Sequence, residues 1–110
     1  MTYDYYILLI GEYINCGRSE ERLLADIGYP EEITLSAEEL VKAISIIAAA
    51  ADSDIKRLVE LSELKTSAFA KKFLLPPRSL YNWCCNDRKP PEYLSIMIGY
   101  ILISEVKNEI

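Results

Sequence analysis

The chain has 110 residues, of which 51% are hydrophobic and 26% charged, with a formal net charge of −5. That length fits one domain, or a small domain with an extension, and that composition buries a core and does not describe a disordered chain. Histidine is absent, which removes the commonest general base, and there is no glycine-rich phosphate loop and no nucleophile elbow; enzymatic activity is not expected.

The first predicted element is a helix over 3–15 (YDYYILLIGEYIN), apolar nearly all round. Tyr3, Tyr6, Ile7, Ile10 and Ile14 form one stripe, and Tyr5, Leu8 and Leu9 another. A helix with two apolar faces is central to a bundle or shared with a second subunit. A strand over Tyr5–Ile10 is the alternative, given its aromatic and β-branched residues. Gly17 ends the helix. Ser19 caps a short helix to Ile27 that carries Glu20 and Glu21 in its first turn, and Gly28 and Pro30 stop it. Residues 29–35 form a connector. Ser36 and Glu39 have capping-box spacing, opening a helix over 37–51. Its main stripe is Leu40, Ala43, Ile44, Ile47 and Ala51, widened by Val41, Ile46 and Ala48 to Ala50. The alanines let another helix, either 3–15 or a symmetry mate, approach closely.

Asp52-Ser53-Asp54 reads as a boundary and a cap. A helix over about 54–64 follows, then one beginning at Lys65 or Thr66 in which Ala68, Phe69, Ala70 and Phe73 share a face. Leu74-Leu75-Pro76-Pro77 interrupts it. A proline lacks an amide hydrogen and suits the first position of a helix, so a new helix is predicted from Pro77 to Cys84, with Leu80 and Trp83 inward. Arg78, Ser79, Tyr81 and Asn82 lie on its other faces. A basic loop, Asn86-Asp87-Arg88-Lys89-Pro90, leads into a last helix over 91–107 with Tyr93, Leu94, Met97, Ile98, Ile101 and Leu102 buried. Ile96, Tyr100 and Ile103 leave apolar surface elsewhere on it, which points to a partner. The expected fold is all-α: a bundle of six to seven helices with a repressor-like helix-turn-helix in its C-terminal half.

Charge divides the chain at the same boundary. Residues 1–52 hold 10 acids and 3 bases, −7, and residues 53–110 hold 7 acids and 9 bases, +2. Within 65–89, Lys65, Lys71, Lys72, Arg78, Arg88 and Lys89 stand against Asp87, a local +5. Attraction to phosphate follows the local field more than the total charge. Residues 1–52 thus read as an acidic helical extension for dimerisation or partner binding, and 53–110 as the helix-turn-helix domain. Lys71 and Lys72 read equally well as a solvated face.

Three cysteines, Cys16, Cys84 and Cys85, suit a reducing compartment. They lack Cys-x-x-Cys spacing, so neither a metal nor a cofactor site is expected. The start, MTYDYYILLI, has neither the positive region of a signal peptide nor the length of a membrane span; a cytoplasmic protein is expected.

Residues 68–93 combine an "AFA…F" helix, a "P-x-R-S-L-x-x-W" helix and an "R-x-P-P-E-Y" exit, and in this they resemble the phage-repressor-like (Xre-type) helix-turn-helix proteins, especially short bacterial and prophage members. The likeness extends more weakly over 53–108. It implies a DNA-binding transcriptional regulator whose second motif helix enters the major groove. Thr66 stands where that family usually has Gln, Leu74 and Asn86 where it usually has Gly, and Cys84 where it has Glu. Pro77 takes a place often held by a groove-reading side chain.

On that reading Arg78 faces base edges, where its guanidinium fork suits guanine. Asn82 pairs with adenine or with phosphate. Thr66 and Ser67 hold a phosphate at a helix start, and Ser79, Tyr81, Arg88 and Lys89 border the contact. Trp83 is core. The expected partners are double-stranded DNA and a second copy of the chain. The alternative is a protein-binding inhibitor, antitoxin-like or a phage anti-defence protein, that uses the helix-turn-helix as scaffold and the acidic half as its contact; the state of Arg78 and Lys89, free or tied to acids of 1–52, discriminates between the two.

Overall fold

The computed structural model describes residues 2–27 and 36–106. Among them are seven helices and no strand: α1 (Tyr3–Asn15), α2 (Glu20–Ile27), α3 (Ala37–Ala51), α4 (Ile55–Ser62), α5 (Thr66–Lys72), α6 (Pro77–Cys84) and α7 (Glu92–Val106). The all-α expectation therefore holds, and Tyr5–Ile10 is helical, not a strand. The connector over 29–35 and the stops at Gly28 and Pro30 fall outside the described residues.

Local chemistry accounts for the helix starts. Thr2, Ser19 and Ser36 accept from the amides of Tyr5, Arg22 and Glu39 through their hydroxyls, and the Glu39 carboxylate returns a bond to the Ser36 amide. Asp54 caps α4 by accepting from the Arg57 amide. Four helix ends, those of α1, α3, α5 and α6, follow one pattern. A residue at positive φ turns the chain, and the next amide reaches back to a carbonyl of the last turn. Gly17, Ser53, Leu74 and Asn86 hold the left-handed position, and Arg18, Asp54, Leu75 and Asp87 bond back to Tyr13, Ala49, Ala70 and Asn82 at 2.8–3.0 Å.

The centre of the fold is α3, not α1. It packs against α1, α2, α4 and, most extensively, α7. Its alanines are the reason: Ala43 and Ala48 to Ala50 are buried along with Leu40, Ile44, Ile46 and Ile47, and small side chains let neighbours approach from several sides. Val41, expected to widen the stripe, is 52% exposed. In α1 the expected grouping is corrected. Tyr6, Leu9, Ile10 and Tyr13 are buried, and Tyr3, Ile7, Leu8 and Ile14 are exposed. The helix is a flank with one covered face.

The phase of α7 is also corrected. Ser95, Ile98, Gly99, Leu102, Ile103 and Val106 are buried, whereas Tyr93, Met97 and Ile101 are exposed. The helix turns its small residues toward the core because α1 and α3 come close there. A Cβ at Gly99 would lie 2.6 Å from the Tyr6 hydroxyl oxygen and 2.7 Å from Ala50 Cβ. The Tyr6 hydroxyl donates to the Ile96 carbonyl at 2.7 Å, and burial pushes its pKa well above the ordinary tyrosine value.

The 52/53 junction separates helices but not cores. One hydrophobic cluster runs from Tyr6 and Leu23 through α3 to Ile55, Leu58, Phe69, Leu80 and Ile103. The Cα radius of gyration is 13.7 Å, close to the ~13 Å of a single body of about 100 residues. Polar links cross the same junction. The Arg57 guanidinium makes two bonds of 2.9 Å to the Glu20 carboxylate and Lys42 pairs with Glu63 at 3.3 Å, while at the junction's N-terminal edge Arg18 and the Tyr13 hydroxyl both donate to Asp52.

Candidate nucleic-acid interface

Helices α4, α5 and α6 pack on one another, with α4 also meeting α3 and α7. In α5, Phe69 and Ala70 are buried, and the Phe69 and Phe73 rings meet at 4.8 Å. Ala68, expected on that face, is exposed. It lies one residue ahead of Phe69, about 100° round the helix and so off the inner side. At the turn Leu74 has φ +53 and is 90% exposed. Pro77 opens α6 in the first helical position. Leu80 is fully buried behind it, with Trp83 and Cys84 half-buried against the same core.

The opposite side of α6 carries Arg78, Tyr81 and Cys85, all exposed, with Asn82 half-buried beside them and Ser79 half-buried toward the inner side. Three- and four-residue spacings put Arg78, Tyr81, Asn82 and Cys85 on one outer stripe. Cys85 was missed from the sequence, although it stands four residues after Tyr81. The Cys85 side chain beside Tyr81 raises the phenol's pKa above its usual value through hydrogen bonding; a phenol is protonated near neutral pH with or without that shift. Burial pushes the Cys84 thiol up as well, leaving it a packing group and not a nucleophile.

Comparison with protein-family models, with curated proteins and with solved structures returned no match.

The two motif helices differ from α1 to α4 at their starts. The residues before them, Lys65 and Pro76, make no side-chain capping bond, in contrast to the caps of α1 to α4. Thr66 and Ser67 are exposed at the start of α5. The amides of the first turn are therefore open to an outside acceptor.

The basic side chains divide into two sets. Lys72 is tied to Glu105 and Arg57 to Glu20. Among the described residues, Arg78, Arg88 and Lys89 have neither an ion pair nor a hydrogen bond from their side chains, and all three are exposed. Arg88 and Lys89 line an open groove of about 350 Å³ with Lys56, Asn86 and Trp83. The groove also contains Asp52 and Asp54, but the first is engaged by Arg18 and Tyr13 and the second by the α4 amide. Lys56, also without a side-chain partner among the described residues, was missed because it precedes the motif in sequence and joins the groove only through the fold. Among the described residues no group of three His, Cys, Asp or Glu side chains is placed to hold a metal ion, and no helix is long and apolar enough to cross a membrane.

Proposed function

We propose that this chain is a small helix-turn-helix DNA-binding protein, a transcriptional regulator of bacterial or prophage type similar to the Xre-type repressors, working in the cytoplasm as a homodimer on double-stranded DNA. The observation that carries this is α6 itself. Leu80 anchors it from behind, and Arg78 projects from its outer stripe without an internal partner. An unpaired guanidinium near the start of a helix supported in this way suits a guanine edge in the major groove. Asn82, one turn later, reaches adenine or a phosphate. The open amides beside Thr66 and Ser67 receive one phosphate, and Lys56, Arg88 and Lys89 receive the flanking backbone. Tyr81 donates its phenol at the edge of the contact.

Selection of random duplexes by the purified protein at moderate salt tests this. A two-fold symmetric site should enrich, and Arg78→Ala should relax it at one position per half-site, at a cost of about 1–3 kcal/mol. If no sequence enriches, the DNA reading fails. The second reading, an inhibitor or antitoxin-like protein on the same scaffold, is favoured by one observation: Leu74 and Tyr81 are apolar and exposed on the motif, while Glu12, Glu21 and Glu38 are exposed on the acidic half.

A further inference from the structure

We propose that the groove between the start of α4 and the loop after α6 binds a nucleoside di- or triphosphate, with Trp83 taking the base and Lys56, Arg88 and Lys89 the phosphates. A nucleotide held there occupies the cations assigned above to the duplex backbone, so nucleotide and DNA exclude each other. The exclusion rests on the DNA reading; the nucleotide site does not.

The groove has the size and the charge for such a ligand. Its volume of about 350 Å³ falls within the ~300–1,000 Å³ of small-ligand sites. Asp52, Ser53, Lys89 and Pro90 also border an adjoining groove of about 520 Å³, which leaves room for a run of phosphates. Lys56, Arg88 and Lys89 are exposed and have no side-chain partner among the described residues. An arginine fork holds two oxygens of one phosphate, and lysines add point charges. The acids in the wall are already engaged: Asp52 accepts from Arg18 and Tyr13, and Asp54 from the Arg57 amide. Arg18 and Glu92 border only the adjoining groove, and their charges offset.

Trp83 and Asn86 single out a nucleotide among polyanions. The outside of a duplex presents phosphate and sugar and keeps its bases stacked within, so its backbone leaves both side chains idle. Trp83 is only half-buried; it packs on the core and also lines the groove. Its ring N–H meets no acceptor among the described residues and is not sealed from solvent. Every base has a π-face for an aromatic side chain. The exposed Asn86 amide, in the same wall, offers both donors and an acceptor to a base edge.

Titration of the full chain with ATP, without DNA, tests the proposal through the emission of Trp83, the only tryptophan. A saturable change is expected, with a dissociation constant on the order of 100 µM. Inorganic triphosphate should bind about tenfold more weakly. Lys56→Ala and Arg88→Ala should each weaken ATP binding about tenfold with helical circular dichroism retained, while Lys71→Ala, exposed outside the groove, leaves it unchanged. Triphosphate binding as tightly as ATP, or an equal loss in Lys71→Ala, reduces the effect to diffuse attraction of polyanions and overturns the proposal. So do the absence of saturation at about 10 mM and a preference for a short single strand over ATP. Saturating ATP should also weaken duplex binding about tenfold; an unchanged duplex affinity overturns the exclusion. If no duplex binds at all, the exclusion falls with the DNA reading, and the titration still decides the nucleotide site.

Discussion

Leu74 occupies the left-handed region at φ +53 with 90% of its surface in solvent. The conformation crowds its Cβ against the following carbonyl, and the side chain recovers little by packing. Glycine removes the clash but loses more backbone freedom on folding. Leu74→Gly should therefore raise stability by up to about 1 kcal/mol, read as a higher urea midpoint at unchanged slope; a fall would mean that Leu74 packs on something. Ser95 poses the opposite problem. Its side-chain oxygen is buried on the α3 side of α7 without a hydrogen-bond partner, and an unsatisfied buried hydroxyl carries a desolvation cost. Ser95→Ala keeps the small volume that the contact requires and should stabilise by about 1 kcal/mol, measured in the same titration.

At the scale of elements, what the sequence discloses depends on whether a signal is local. Caps and breaks are local. Ser36 with Glu39, Asp54, and Pro77 at the start of α6 each act through amides within one turn, so those helices begin where the spacing predicts. The phase of α7 was not legible, because Tyr93 to Ile103 is apolar on every side and periodicity cannot choose a face. Gly99 against Tyr6 and Ala50 decides it, across three helices. The pairing of Arg57 with Glu20, 37 residues apart, is likewise a product of the fold, and so is the joining of Lys56 to Arg88 and Lys89. For the interface this means that the outer stripe of α6 was readable and its basic flank only partly so. The Arg57–Glu20 bridge has a pH signature. Hydrogen bonding to Arg57 holds the Glu20 carboxyl below its ordinary value of 4.5. A depressed folded value adds stability that is fully present above the unfolded value and disappears as pH falls through the folded one. Both side chains are about a third exposed, at 35% each, and screening trims the contribution. Glu20→Gln should cost about 1 kcal/mol or less near neutrality, and the gap between variant and parent should close in acid. A gap that persists at low pH would assign the loss to packing.

For the whole molecule the question raised by the proposed DNA binding is how a chain of net −5 would attract a polyanion. The bridges answer part of it. Arg57 and Lys72 are neutralised within the fold, while Lys56, Arg78, Arg88 and Lys89 remain on the motif and its groove, where Asp52 and Asp54 already accept bonds from within the chain. Each phosphate contact releases condensed counterions, and the logarithm of affinity falls with the logarithm of salt by about 0.9 per contact. If Arg78 reads a base and the other three meet phosphates, one copy should give a slope of about −3 and a bound pair about −5 to −6. Removing Lys89 from each chain of the pair should flatten that slope by about 2, lowering affinity for all duplexes alike, whereas Arg78→Ala should leave the slope nearly unchanged and reduce discrimination between duplexes. The two variants thus separate attraction from reading. A slope near zero, or one that Lys89→Ala leaves intact, would mean that the free bases do not face nucleic acid, and the acidic half would then be the surface to test against protein partners.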